Sequence, residues 1–147
     1  MSASNPDRAA VRAFMTAGCE PRPLDSNPIA IGLQAMLLAA DAEVGTVTVR
    51  FEAGVPHLQG AGNVHGGVVA TMLDLATALA ALARLADDQS PATVSLNVCM
   101  LRPVAPGPLT ATAQVDRAGR RIVHASAQLV GREGALLATA TAVMAIV

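Results

Sequence analysis

The sequence predicts an α+β domain in which a curved antiparallel sheet wraps around one long central helix. Three observations lead there. From Val68 to Ala83 the chain is apolar except for Thr71, Asp74 and Thr77, and a helix greasy on all sides is a buried helix. Six further segments read as strands, two before that helix and four after it. No second long helix alternates with them, so a doubly wound parallel sheet is excluded. The sheet is then the only element available to cover the helix.

Each element has its own signal. Residues 1–28 form an N-terminal segment in which Pro6 to Met15 is expected as a short helix, with Asn5 as cap and Pro6 in the first helical position. Pro21, Pro23 and Pro28 make the stretch after Cys19 linker-like. Ile29 to Ala40 is expected as the first strand of a hairpin, broken at Asp41–Gly45. Thr46 to Glu52 alternates cleanly and marks a strand with one buried face. A glycine-containing loop over 53–67 leads into the long helix, which runs to about Ala86. The remaining strands are expected at Thr93–Leu101, Leu109–Arg117, Arg121–Val130 and Ala135–Ile146. Pro103, Pro106 and Pro108, then Gly119, then Gly131 and Gly134 punctuate their turns. Residues 29–147 thus make one domain, and a sheet curled around a central helix is the hotdog fold.

Composition narrows the function. The chain of 147 residues is 52% hydrophobic and only 14% charged, so little polar surface is available and contact between subunits is expected. A net charge of -1 gives no general attraction to nucleic acid or anionic membranes. All ten basic residues are arginine, and compositional bias explains this more simply than phosphate recognition does, except at particular positions. Cys19 and Cys99 have no metal-ligand spacing and form no disulfide framework, and no metal is expected. With no secretory pattern at Met1–Arg8, a reduced, cytoplasmic protein is expected. The stretch Val68–Ala86 approaches membrane-spanning length, but Asp74 near its middle and the strand-rich remainder argue against insertion. Neither a G-x-S-x-G elbow nor a P-loop nor a dinucleotide fingerprint occurs.

The chemistry gathers at His65-Gly66-Gly67 and Asp74. A carboxylate in a greasy helix costs several kcal/mol unless paired, so it is more often functional than decorative. Two glycines at a helix entrance expose backbone N–H groups to an anion or a polarised carbonyl oxygen. A carbonyl-binding end and a carboxylate two turns further on are parts of a hydrolytic site. The structural alternatives are that Asp74 bonds to Thr71 or Thr77, and that His65 merely ties down its loop.

On Val64-His65-Gly66-Gly67-Val-Val-Ala-Thr71-Met-Leu-Asp74, with Thr93-Val94-Ser95-Leu96-Asn97, Leu101-Arg102-Pro103 and Gly119-Arg120-Arg121 in order behind it, the chain resembles the hotdog acyl-CoA thioesterases of the phenylacetate-degradation branch. The resemblance spans roughly residues 29–147. It implies Asp74 as general base or nucleophile, and Gly66 with Gly67 as backbone donors to the thioester carbonyl. It places Gln59 where relatives carry asparagine, and Ser95 as a hydroxyl that helps hold the water. Arg102, Arg120 and Arg121, with Asn97, fall where relatives bind the nucleotide of coenzyme A. The coenzyme is then part of the substrate and no separate cofactor is implied. The glycine end and the carboxylate of one site come from different subunits in such proteins, which implies a homo-oligomer, dimer or tetramer.

Two rivals stand beside the thioesterase. A hotdog enoyl-CoA or acyl-carrier-protein hydratase would pair a histidine with an acid, yet His65 and Asp74 are roughly 13 Å apart along a helix. A non-catalytic acyl-CoA-binding module would have no use for the carboxylate.

Overall fold

The computed structural model describes residues 5–147. Helix α1 (Pro6–Thr16) opens it, followed by the two-residue strand β1 (Arg22–Pro23), the short helix α2 (Pro28–Gly32) and the hairpin β2 (Met36–Asp41) and β3 (Thr46–Ala53). The long helix α3 (Gly66–Arg84) comes next, then β4 (Pro91–Met100), β5 (Gly107–Ala118), β6 (Ile122–Val130) and β7 (Leu136–Ile146). The strands form one seven-stranded antiparallel sheet in the order β1-β2-β3-β5-β6-β7-β4. Helix α3 lies against β2 through β7, so the expected sheet-wrapped helix is the architecture observed.

The alternation read from the sequence is the packing pattern. Val47, Val49, Phe51 and Ala53 point into the core, as do Leu109, Ala111, Ala113 and Val115 on β5. Opposite them Met72, Leu73, Ala76, Leu79 and Ala80 of α3 are fully enclosed. Burying a leucine or methionine side chain of this kind contributes about 2 kcal/mol, so the apolar face of α3 is held by the sheet. The helix has the length and hydropathy of a membrane span, and its burial inside the sheet accounts for that apolarity.

The N-terminal helix forms as expected. The Asn5 side chain accepts from the backbone N–H of Asp7 and Arg8, with Pro6 in the first turn. It delivers Val11 and Phe14 into the same core as α3. It also serves the far end of α3. Buried Arg8 donates to the carbonyls of Asp87 (2.9 Å) and Gln89, and Arg12 donates to that of Leu85 and meets Asp87 Oδ1 at 3.2 Å. Guanidinium groups thus satisfy chain carbonyls just beyond the negative end of the helix.

The expected single strand over 29–40 needs correction. Its first part is helix α2, because Asn27 accepts from Ala30 N–H at 2.8 Å and Pro28 occupies the first turn. Gln34, at φ 48, then turns the chain into β2.

Strand β4 sits at the sheet edge, bonded on one side to β7 only. Val94 is 66% exposed, and Met100 and Leu101 are nearly half exposed. Among the described residues nothing covers the outer edge of this ten-residue strand, which leaves a row of backbone groups open to another chain.

Candidate active site

The loop before α3 is held at several points. His57 Nδ1 accepts from Gly54 N–H at 3.0 Å, while the N–H groups of Val64 and His65 donate to the carbonyls of Val104 (2.7 Å) and His57 (2.8 Å). His65 therefore enters the helix in an extended conformation and caps it, its Nδ1 accepting from Gly67 N–H at 2.9 Å. With Nδ1 accepting, the ring N–H is on Nε2. His65 is a cap, which is the alternative in which it ties down its loop.

That cap distinguishes the two glycines. The Gly67 N–H, expected as a second carbonyl donor, is engaged by His65. The Gly66 N–H has no acceptor among the described residues and faces outward at the positive end of α3. The next N–H groups, of Val68 and Val69, both go to His65 O.

Asp74 is half-buried, not enclosed as the apolar run suggested, because the strand beside it is the sheet edge. Its Oδ1 accepts from the Thr93 hydroxyl at 2.8 Å. Thr71 and Thr77 bond instead to the backbone carbonyls of Gly67 (2.8 Å) and Asp74 (2.9 Å), so neither neutralises the carboxylate. The carboxylate thus keeps an open oxygen and one oriented by a hydroxyl.

Thr93 was missed in the sequence, where Ser95 stood as the hydroxyl of this strand. The register slips between Thr93 and Ser95 against β7, and the bulge re-aims Thr93 toward the helix. Ser95 and Asn97, two apart with no slip between them, share the outer face, where Asn97 lines a polar concavity with Thr112, Ser126 and Thr141. The structure does not bring either residue to Asp74.

At the helix entrance a pocket of about 380 Å³ is lined by Gly66, Gln59, Asn63, Met100, Leu101 and Arg102, among others. Met100 closes over the glycine, its Cε 3.5 Å from where a Gly66 side chain would begin. Gln59 has its Oε1 turned back onto Ala61 N–H. Arg120 and Arg121 lie elsewhere, lining a surface hollow at the β5–β6 hairpin with Arg117 and His124. That hairpin is at the Thr93 end of β4, since His124 pairs with Val143 and Val143 with Ser95. Strand β4 thus runs opposite to α3. Asp74, Thr93 and the hairpin arginines gather at one end, and Gly66, Met100 and Arg102 at the other. Asp74 is eight residue steps from Gly66 along the helix, about 12 Å.

A family model described as the thioesterase superfamily matches residues 61–138, which contain α3, β4, β5, β6 and the start of β7. The chain belongs to the thioesterase superfamily. A crystal structure from Ralstonia eutropha JMP134, described as a candidate thioesterase related to phenylacetic acid degradation, is 34% identical, covers 90% of this chain and 97% of its own, and superposes with a TM-score of 0.78. A Bacillus halodurans protein solved with CoA is 27% identical over 68% of this chain and 66% of its own, with a TM-score of 0.66. A Halobacterium salinarum protein described as a candidate esterase is 40% identical over 86 residues, 57% of this chain. The match spans 56% of that curated relative's length. The hotdog architecture of this thioesterase-superfamily chain and its resemblance to the phenylacetate-degradation branch are both borne out, and a thioester hydrolase is the class these likenesses support.

Proposed function

We propose that the chain hydrolyses an acyl- or aryl-acyl-CoA to free acid and coenzyme A. The Gly66 N–H polarises the thioester carbonyl while Asp74, oriented by Thr93, assists the attack of water. The family supports thioester chemistry, and the CoA-bound relative supports a coenzyme A thioester as substrate. The observation that carries the mechanism is the division of the site. The free N–H at the start of α3 and the open carboxylate two turns along it lie about 12 Å apart, so neither can act on the other's substrate within a single chain.

Two copies joined antiparallel along β4 resolve this. A two-fold axis near Leu96 and Asn97 brings the Thr93 end of one strand to the Met100 end of the other. Each site then draws Gly66 and Arg102 from one copy and Asp74, Arg120 and Arg121 from its partner. The exposed edge supplies the pairing surface, and an isologous dimer follows from its symmetry. The arginines, dispersed in one chain, then flank a common entrance for the coenzyme's phosphates.

The geometry disfavours the hydratase. A proton-abstracting histidine needs a free basic nitrogen, and His65 has committed Nδ1 to Gly67. The test is release of free thiol from a panel of acyl-CoA thioesters. The wild-type chain is expected to release thiol, and Asp74→Asn to lose at least about 10²-fold in kcat while still binding CoA. No release from any member of the panel would overturn the proposal.

A further inference from the structure

Met100 is set beside the proposed carbonyl donor. It continues the inner face of Leu96 and Val98, which pack on the core, yet stands 46% exposed at the end of β4. Its Cε is 3.5 Å from where a Gly66 side chain would begin, which puts that methyl at most about 6 Å from the Gly66 nitrogen. A carbonyl oxygen held by this N–H at about 2.9 Å carries the next two carbons to roughly 4–5.5 Å from the same nitrogen. The methyl and the carbon attached to the carbonyl thus share one shell around the donor. The buried Val64, Val69 and Val104 line the same pocket. They offer dispersion contacts and no side-chain hydrogen bonds, which suits a hydrocarbon better than the amide-bearing arm of coenzyme A. Contact here is by shape and not by ring stacking, since Phe14 and Phe51, the only aromatic residues, are fully enclosed.

We infer that Met100 is a specificity-determining residue, whose terminal methyl packs on the acyl carbon next to the thioester carbonyl and selects acyl groups unbranched at that carbon. This rests on the thioesterase reading above. A methionine tip is adaptable by itself. In the pairing proposed above, Leu96 opposite Asn97 of the partner subunit sets Met100 opposite Thr93 of the partner subunit. The side chain is then confined between the donor of its own chain and the carboxylate of the other. A methyl branch on the acyl carbon has to displace it.

The test measures kcat/KM by thiol release from butyryl-CoA and octanoyl-CoA, each beside its 2-methyl homologue, for the wild type, Met100→Ala and Met100→Leu. The wild type is expected to favour the unbranched member of a pair by at least about tenfold, the scale of one carbon in an apolar site. Met100→Ala is expected to bring that ratio within about threefold, chiefly by a gain on the branched member. Met100→Leu keeps the volume but withdraws the tip, and is expected to give an intermediate ratio. Thermal melting reports whether each variant is folded, and should the alanine variant be unstable, Met100→Leu carries the test. An active wild type that does not discriminate within the pairs would overturn this inference alone. So would a folded Met100→Ala, or the leucine variant in its place, that lowers both members equally and leaves the ratio unchanged, because Met100 would then touch only what all the substrates share. A wild type that releases no thiol from any acyl-CoA would overturn the thioesterase reading and this inference with it.

Discussion

Proline at position 66 removes the backbone N–H by closing a ring onto that nitrogen. Gly66 is the first residue of α3, where proline is favoured because the helix makes no use of that N–H. His65, at φ -60 and ψ 136, already has the extended conformation that a residue before proline requires. A Cβ at Gly66 would meet Met100 Cε at 3.5 Å, an ordinary contact with the mobile end of a side chain. Gly66→Pro is therefore expected to fold with its melting temperature unchanged or slightly raised, since proline also restricts the unfolded chain. What it loses is the donor to the carbonyl oxygen, for which kcat should fall about 10²–10³-fold, or roughly 3–4 kcal/mol. Steady-state thiol release from an acyl-CoA, beside a thermal melt, reads both quantities. Gly66→Ala adds a side chain but keeps the N–H, so it separates the loss of a donor from the gain of bulk. A folded Gly66→Pro enzyme with kcat within about threefold of wild type would refute the assignment of this N–H to the carbonyl.

Two further predictions concern the carboxylate and the cap. Thr93→Val removes the hydroxyl that donates to Asp74 at 2.8 Å and should cost about tenfold in kcat, whereas Ser95→Ala, on the opposite face of the strand, should cost far less. Initial-rate measurements showing the reverse order would place the wrong hydroxyl at the site. His65→Ser keeps a capping oxygen for the Gly67 N–H and should retain most of the activity, while His65→Ala should lose about 1 kcal/mol of stability in denaturant titration. A fully folded but inactive His65→Ser would mean that the imidazole has a chemical role.

The parts of the fold that follow from periodicity were legible in the sequence. The alternation of β3 and β5 and the all-round apolarity of α3 each encode a burial pattern directly. Helix α2 was misread as strand: Asn27-Pro28 repeats the Asn5-Pro6 start of α1, but its exposed Ile29 and Ile31 blend into the apolar run that follows. The site was only partly legible. Asp74 and Gly66 announce themselves, one as a charge among apolar neighbours and the other as a bare helix entrance. Thr93 does not, because one slipped residue in β4 decides which hydroxyl faces the helix, and nothing in the local alternation marks it. For Gln59, sequence position shows an amide near the entrance but not that its oxygen is folded onto Ala61. The half-exposure of Asp74 depends on β4 being the edge strand, which is a property of strand order and not of any local pattern.

The central claim is that one site is made by two copies, and subunit mixing tests it most directly. Asp74→Ala and Gly66→Pro chains are each expected to be nearly inactive alone. A mixed dimer would join the intact glycine end of the first to the intact carboxylate of the second, so that one of its two sites is complete. Random exchange of equal amounts in a two-fold dimer should therefore restore about a quarter of the wild-type activity. If mixed dimers are shown to form, by mass spectrometry of the intact complexes, and the mixture stays as inactive as its components, the shared site is contradicted.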